Sequence, residues 1–210
     1  MKVAIIGAGS VGRALAGSSI RAGHTVVLSS AHHEHAVQAA RATGAEAAAS
    51  NRSAVDGADA VILAVPYAAV SSILDELGDA LDGGILIDAT NPLTPDYTDL
   101  ATDGDSAAEL IQQRVPGARV VKAFNTAFAA RQANPQVDGV QLDGFVAGDD
   151  PGAKEAVLDL VGSIGFRPID AGPLRMSRAL EQMALLTISL QLRNGWSWQN
   201  GWKLAGPTSA

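Results

Sequence analysis

The sequence predicts an α/β protein whose doubly wound, mostly parallel sheet is followed by a small C-terminal helical part. Short apolar runs alternate with longer segments rich in Ala and Leu, as expected for strands joined by helices. The chain is 47% hydrophobic but only 4% aromatic, and a core of small, branched side chains suits layered α/β packing. A length of 210 residues is enough for one such domain with a short appendage.

Each element is predicted from its own apolar run and its flanking signals. Strands are predicted at residues 3–6, 25–28, 46–48, 60–65, 84–88, 119–122, 144–147 and 167–170. Helices are predicted at residues 11–22, 34–43, 68–81, 106–114, 151–164 and 177–193. Asp150 before Pro151 indicates a helix start, and Ser106 with Glu109 has the spacing of a capping box. Asn194-Gly195 predicts a left-handed helix stop.

Two units are expected along the chain: a dinucleotide-binding domain at residues 1–172 and a C-terminal helical segment at residues 173–210. The second would complete an acceptor cleft, a dimer interface or both. The long polar loop at residues 91–105, with two prolines and four aspartates, is interpreted either as a lid or as a tolerated insertion. Trp196, Trp198 and Trp202 are predicted to cover the dimer interface or the acceptor pocket, or to bind a partner.

Composition excludes several classes of function. The 15 basic and 22 acidic residues give a net charge of −7, which disfavours binding to nucleic acid or to an anionic membrane. No apolar run has the length of a membrane span, and no signal-peptide pattern is present. The chain has no cysteine, so thiol nucleophiles and thiolate metal sites are excluded. We expect a cytoplasmic protein that binds small molecules.

The glycine-rich turn after the first strand carries the strongest functional signal. Gly7, Gly9 and Gly12 form a G-x-G-x-x-G pattern, with Ser10 and Val11 between the last two glycines. The pattern follows a predicted strand and opens a predicted helix, which is the context of a dinucleotide pyrophosphate site in a Rossmann-type fold. These five residues are therefore predicted to bind the cofactor.

The end of the second strand indicates which dinucleotide is bound. An acidic residue there would bind a ribose 2′-hydroxyl and repel a 2′-phosphate, but none occurs before Glu34. Ser29 and Ser30 are predicted to donate hydroxyl protons to a 2′-phosphate, and His32, His33 or His35 to add positive charge. The expected cofactor is NADP(H). The histidine cluster is otherwise interpreted as polar surface, and no metal site is predicted.

Three further segments with polar tips end at the sheet edge where ligands bind in open α/β folds. We expect them to contact ribose hydroxyls and the nicotinamide carboxamide. The residues are Val65, Pro66, Tyr67, Thr90, Asn91, Asn125 and Thr126.

The sequence offers few groups for acid–base catalysis. No histidine follows His35, and Lys122 is the only second-half candidate beside a strand end. A hydride transfer between two stacked cofactors needs orientation more than a strong acid or base. We therefore predict cofactor-to-cofactor transfer by alignment, with no single catalytic residue.

Longer motifs extend this interpretation. They are Val65-Pro66-Tyr67, residues 106–109, residues 121–126, residues 147–150 and residues 167–174, together with the glycine turn. On these motifs the chain resembles the F420H2:NADP+ oxidoreductase family from residue 1 to about residue 204.

The resemblance implies a homodimer in which coenzyme F420 stacks on the nicotinamide in a cleft beside a small C-terminal part. By position, Ser30 matches the serine that contacts the 2′-phosphate, and Tyr67 and Asn125 would lie near the ring pair. Ala31 stands where the family usually has an arginine, which leaves NADP or NAD open. The anionic tail of F420 would need cations, for which Lys122, Arg131, Arg175 and Arg178 are the candidates.

Three functions remain open at this point. The first is hydride exchange between NADP(H) and F420 or a flavin-like acceptor. The second is NAD(P)H-dependent reduction of a small imine or carbonyl compound. The third is a non-catalytic dinucleotide sensor.

Overall fold

The computed structural model describes residues 1–206, which form ten strands and eight α-helices. In six of the eight strands of the large sheet every residue, or every residue but the first, is buried, which is typical of strands covered on both faces. The strands are β1 Lys2–Ile6, β2 Thr25–Ser29, β3 Glu46–Ala47, β4 Ala60–Leu63, β5 Ile85–Asp88, β6 Arg119–Ala123, β7 Gln136–Val137, β8 Val140–Gln141, β9 Asp143–Gly148 and β10 Arg167–Gly172.

The helices alternate with these strands. They are α1 Ser10–Arg21, α2 His33–Thr43, α3 Asn51–Val55, α4 Val70–Leu77, α5 Ala107–Arg114, α6 Ala129–Ala133, α7 Pro151–Ser163 and α8 Ser177–Asn194. Short 3-10 turns at Tyr67–Ala69, Gly78–Leu81 and Leu174–Met176 precede α4, follow it and precede α8.

Eight strands form one sheet in the order β10-β9-β6-β5-β4-β1-β2-β3. Neighbouring strands are parallel except β6 and β9, which pair antiparallel. The predicted α/β class with a mostly parallel sheet is confirmed. The carboxyl ends of β1, β2, β4, β5 and β6 therefore share one edge, while β9 and β10 end at the opposite edge.

Alternate side chains of the strands face two helical layers, as the two-residue period of a strand requires. Ile5 and Ile62 pack in one buried cluster with residues of α1, α2 and α7. Ile6 and Leu63 pack in another with residues of α3, α4 and α5. The sheet is thus the middle of three layers, and α8 covers its β9 end on the α5 side through Leu180.

The helix ends follow the predicted local signals. Ser106 Oγ accepts from the Glu109 N–H at 3.2 Å while Glu109 Oε2 accepts from the Ser106 N–H at 2.9 Å, which completes the capping box. Asp150 Oδ1 accepts from the Ala153 N–H at 2.7 Å. Gly195 ends α8 in the left-handed conformation, with φ 65°.

Short elements were not predicted. The structure adds α3, α6 and the β7–β8 hairpin, each too short to show a periodicity. The helix predicted at residues 68–81 is an α-helix only at Val70–Leu77, flanked by 3-10 turns.

The chain after residue 172 forms α8 and then returns to the main sheet. Trp202 Nε1 donates to Thr187 Oγ1 of α8 at 2.9 Å, and the Asp143 N–H donates to the Trp202 carbonyl at 3.0 Å. The division of the chain at residue 172 stays a prediction. The last four residues of the predicted C-terminal segment, 207–210, lie outside the described part of the chain. Within residues 1–206, no helix is both long and apolar enough to cross a membrane.

Candidate functional site

The glycine turn joins β1 to α1 at the sheet edge where β1 ends. Gly7 has φ 115°, and its N–H donates to the Ser29 carbonyl at 3.0 Å. A Cβ on Gly7 would lie 2.3 Å from the Ala64 carbonyl oxygen, and a Cβ on Gly12 would lie 1.8 Å from the Gly7 oxygen. Only glycine fits at these two positions, since both distances are below any real contact.

Gly9 is different, because a Cβ there would meet nothing within 4 Å. Its position faces open space at the start of α1, where Gly9 and Ser10 are exposed. No side chain caps this helix start, and its first turn has no acidic residue. The N–H groups of the first turn are therefore available to an anion, which fits a pyrophosphate.

At the end of β2, Ser29 and Ser30 have different environments. Ser29 is fully buried and its hydroxyl donates to Asn51 Oδ1 at 2.7 Å. The Asn51 amide in turn donates to Glu76 Oε2 at 2.7 Å. The predicted phosphate contact of Ser29 is therefore not supported, because its hydroxyl proton is already used inside the protein. Ser30 is half-buried and follows at the surface.

The histidines lie beyond Ser30 at an exposed depression lined by residues 31–35. The His32 and His35 rings meet edge to face with centroids 5.3 Å apart, so both can reach one ligand. His33 turns away, with its Nδ1 3.0 Å from the Ala48 carbonyl oxygen. Within residues 1–206, no group of three or more His, Asp or Glu side chains converges as a metal site would require.

Asn91 and Asn125 are joined to each other at the ends of β5 and β6. Asn125 Nδ2 donates to Asn91 Oδ1, and Asn91 Nδ2 donates to the Asn125 carbonyl, both at 3.0 Å. Asn125 Nδ2 also donates to the Leu180 carbonyl of α8 at 3.0 Å. This pair therefore links two strand ends to the C-terminal helix.

A cavity of about 460 Å³ opens beside this pair. It runs from Val11 at the glycine turn past the strand ends to α8, and Asn91, Asn125 and Thr126 line it. The rest of its lining is mostly apolar, and among the described residues no Lys, Arg, His, Asp or Glu contributes to it. Such a cavity suits flat, uncharged ring systems.

Two buried amide oxygens at this cavity have no hydrogen-bond partner in residues 1–206. They are Asn125 Oδ1 and Gln132 Oε1, and both residues line the cavity. Gln132 uses its amide nitrogen on the Phe124 and Ala127 carbonyls, each at 3.0 Å. Buried acceptors without donors indicate a ligand that donates N–H groups, as a carboxamide does.

Three aromatic residues of the cavity have a left-handed backbone that bulky side chains rarely adopt. They are Tyr97, Phe124 and Trp198, with φ of 59°, 67° and 58°. They come from three separate segments: the polar loop, the end of β6 and the C-terminal return. Strained residues gather where surrounding structure holds them for a purpose, so the aromatic walls are a candidate ring-binding feature.

Trp198 is held over the cavity by its neighbours. Its N–H donates to Gln191 Oε1 at 2.9 Å, and its ring meets the Phe128 ring edge to face at 5.2 Å. Gln199 follows Trp198 in the chain, and its carbonyl accepts from the Arg131 Nε at 2.5 Å. Trp196, by contrast, is exposed and does not line the cavity.

Val65, Pro66 and Tyr67 lie to one side of this cavity. Val65 packs close to Gly7, and Pro66 is exposed. Tyr67 lines a separate groove between α4 and α5, because the 3-10 turn after Pro66 directs it toward the α5 layer. The expected place of Tyr67 beside the ring pair is therefore not supported by the geometry.

A buried network of charges lies under the same strand ends. The Lys122 ammonium donates to Asp88 Oδ2 and to the Thr90 carbonyl, both at 2.8 Å, and to Glu181 Oε1 at 2.7 Å. Strand pairing places Asp88 directly beside Lys122, while Glu181 comes from α8. The side chains of all three charged residues are 0% exposed.

The network shifts the titration of its members. Burial would lower the pKa of Lys122, but the two carboxylates raise it above its ordinary value. Burial raises the pKa of Glu181, with Lys122 opposing that rise. The pKa of Tyr67 is raised by burial and then by the nearby negative charge of Glu181 and Asp88.

The four cations considered for an anionic tail are mostly engaged elsewhere. Lys122 belongs to the buried network, and Arg178 pairs with Asp105 and Glu109. Arg131 donates to the Gln199 and Gln136 carbonyls. Arg175 is exposed in the turn before α8, and that turn is bound to Asp149 at the edge away from the cavity.

Sequence reasoning missed the parts of the site that depend on distant segments. No local sequence pattern marks Gln132, Asn51 or Glu181 as part of the site. A charged residue inside an apolar strand, such as Asp88 or Lys122, was the one available signal, because such side chains are almost never buried without a partner.

The chain is similar in sequence to a known family of oxidoreductases. Residues 2–92 match the family described as NADP oxidoreductase, coenzyme F420-dependent. An F420-dependent NADP reductase from Methanocaldococcus jannaschii is 33% identical over 92% of this chain and 93% of its own length.

Solved structures agree in fold. A protein from Arthrobacter sp. FB24, provisionally assigned as an F420-dependent NADP reductase, superposes with a TM-score of 0.88 at 30% identity, over 98% of this chain and 100% of the other. A reductive aminase from Aspergillus terreus, solved with NADPH, superposes with a TM-score of 0.71 at 21% identity, over 92% of this chain and 63% of the other. That second likeness shows a shared fold only.

Proposed function

The chain belongs to the family of F420-dependent NADP reductases, and from this premise we propose that it transfers a hydride between NADP(H) and coenzyme F420. In the direction of F420 reduction, NADPH, a proton and F420 give NADP+ and F420H2, with the hydride leaving C4 of the nicotinamide. Hydride transfer from NADPH to a flavin-like acceptor would belong to the same reaction class. The cavity between the glycine turn and Trp198 is the observation that carries this proposal, because it has a volume of about 460 Å³ and a mostly apolar lining without charged residues among those described.

We assign the pyrophosphate of NADP(H) to the glycine turn. Gly7 and Gly12 shape the turn, Gly9 leaves space beside it, and Ser10 and Val11 present the N–H groups of α1. Helix N-termini bind phosphate through such groups and through the helix dipole.

Recognition of the 2′-phosphate falls to Ser30, His32 and His35 in this proposal. All three lie at the surface just past β2, and the two imidazoles are adjacent. Ser29 supports the turn from below rather than contacting the phosphate. The absence of an acidic side chain before Glu34 keeps the site open to a dianion.

The nicotinamide is assigned to the strand-end half of the cavity. Asn125 and Gln132 can accept hydrogen bonds from a carboxamide through their unpartnered oxygens. Asn91 holds Asn125 in place, Thr126 lines the wall, and the buried Thr90 sits behind them. Val65 and Pro66 border the pyrophosphate side.

The acceptor ring is assigned to the outer half, between Tyr97 and Trp198. The lining provides no charged acid or base in residues 1–206, so the chain's part in the reaction is to align two rings and exclude water.

We propose that the protein is a homodimer. Leu186, Leu192 and Trp196 are each about half exposed on α8 and just beyond it, with exposed fractions of 50%, 56% and 49%, and apolar patches of this kind are typical of interfaces. Sedimentation at micromolar concentration should give twice the chain mass; a monomer mass would reject the dimer. The cytoplasmic location stays a prediction.

The test of the function is anaerobic mixing of the protein with NADPH and F420, followed by absorbance of the deazaflavin. We expect F420 bleaching with turnover, and slower reaction with FMN, FAD or a cyclic imine. Turnover with the imine and none with F420 or flavin would instead support the imine reductase. Tight binding of NADPH without oxidation by any acceptor would support the sensor.

A further inference from the structure

The buried network of Asp88, Lys122 and Glu181 has more negative than positive charge. Its single ammonium uses its three N–H groups on Asp88, Glu181 and the Thr90 carbonyl. Within residues 1–206, the only ion pairs that the two carboxylates form are those with Lys122. With both carboxylates ionised, the network carries an excess of one negative charge, away from solvent.

Each carboxylate also accepts hydrogen bonds from backbone N–H groups, in addition to its ion pair with Lys122. Asp88 Oδ1 accepts from the Thr90 N–H at 2.9 Å. Glu181 accepts from the Ala107 N–H with Oε1 at 3.0 Å and Oε2 at 3.2 Å. Ala107 is the first residue of α5, where the helix dipole adds positive potential.

The network lies directly behind the nicotinamide half of the cavity. Asp88 precedes Ala89, which lines the cavity, and Thr90 precedes Asn91, which lines it too. On α8, Leu180 holds Asn125 through its carbonyl and is followed by Glu181. The charged side chains are thus tied to the residues that would contact the ring.

We propose that this network makes the site prefer the oxidised nicotinamide, by placing a net negative charge behind a ring that is positive in NADP+ and neutral in NADPH. The inference rests on the proposed binding of the nicotinamide in the cavity. A charge in a low-dielectric interior acts on another over several ångströms, with little screening by salt. Bound NADPH is then a stronger hydride donor than free NADPH.

The test uses Glu181→Gln, which keeps the side-chain size and an oxygen for Lys122 while leaving a neutral Asp88–Lys122 pair. Dissociation constants for NADP+ and NADPH are measured by calorimetry on the full chain near pH 8, on the alkaline side because burial raises the pKa of Glu181. We expect NADP+ to bind about tenfold more weakly and NADPH to change by less than about twofold. A tenfold change in the ratio equals about 30 mV in the two-electron potential of the bound couple.

Glu155→Gln is the matched control, because Glu155 is exposed on α7 on the other face of the sheet and should leave the ratio unchanged. Should Glu181→Gln fail to fold, Asp88→Asn removes the same charge, and we expect the same change in ratio. Equal weakening of both nucleotides, or an unchanged ratio, would overturn the inference and leave the network a purely structural role. Failure of the wild-type chain to bind either nucleotide would instead overturn the proposed function.

Discussion

Ser30 is the residue on which the choice of nucleotide most depends. Its neighbour Ser29 is committed to Asn51 inside the protein, and the arginine expected after it is Ala31. The remaining groups near a 2′-phosphate are the Ser30 hydroxyl and the His32 and His35 rings. A site that uses a hydroxyl and imidazoles should distinguish NADP(H) from NAD(H) in a more pH-dependent way than a site that uses a guanidinium.

We expect Ser30→Glu to lower affinity for NADPH at least about tenfold while changing affinity for NADH little, because a carboxylate repels a 2′-phosphate. Dissociation constants for both nucleotides measure this directly. Ser30→Ala is the control that removes the hydroxyl without adding charge. An unchanged NADPH to NADH ratio in the Glu variant would reject the assignment of the phosphate to this turn.

Trp198 is the residue that should matter most to the acceptor. Trp198 lines the cavity; its backbone N–H donates to Gln191, and its ring packs edge to face against Phe128. Aromatic stacking on a ligand ring contributes about 1–3 kcal/mol.

Trp198→Ala should therefore raise the KM for F420 about tenfold or more and leave the dissociation constant of NADPH nearly unchanged. Trp196→Ala is the matched control, since Trp196 is exposed and does not line the cavity. Similar effects of the two substitutions on KM would show that the acceptor does not stack on Trp198.

Among the elements, α5 and α8 are joined through Glu109. Its carboxylate closes the capping box of α5 and accepts from the Arg178 Nε and Nη2 groups of α8, both at 2.7 Å. The Arg178 guanidinium is the main reason that the pKa of Glu109 falls from 4.5 to about 2. The carboxylate thus stabilises both a helix start and the docking of the C-terminal helix.

A lowered pKa in the folded state gives stability that is present above the unfolded pKa and is lost as the pH falls through the folded one. We expect Glu109→Gln to lower the free energy of unfolding by about 1–2 kcal/mol at pH 7, allowing for the exposure of Arg178. The difference from the wild type should shrink between pH 4.5 and about pH 2. Urea unfolding at several pH values tests this, and a difference independent of pH would contradict the ionic role.

The elements also show which parts of the fold the sequence could predict. Capping at Ser106 and Asp150 was predicted because the interacting residues are three positions apart. The Asp88–Lys122–Glu181 network was not, because its members lie on β5, β6 and α8 and meet only after the sheet and α8 have formed. The position of Gln132 in the cavity was not predicted either, because it depends on α6 folding back onto the end of β6.

For the molecule as a whole, the acidic composition agrees with a candidate ligand site that uses few basic groups. Basic groups are few, and the ones near the acceptor side are bound to carboxylates or carbonyls. The cavity itself is uncharged within the described residues. In the proposed arrangement, the helix dipole binds the ligand at one end of the site and aromatic rings bind it at the other.

Direct hydride transfer between two rings in this cavity can be tested by isotope transfer. The protein is mixed anaerobically with F420 and NADPH that carries deuterium on the transferred position of nicotinamide C4, and the product is analysed by mass spectrometry. With ordinary water as solvent, F420H2 should hold one deuterium on carbon. Reduced F420 without deuterium, or no F420H2 at all, would contradict it.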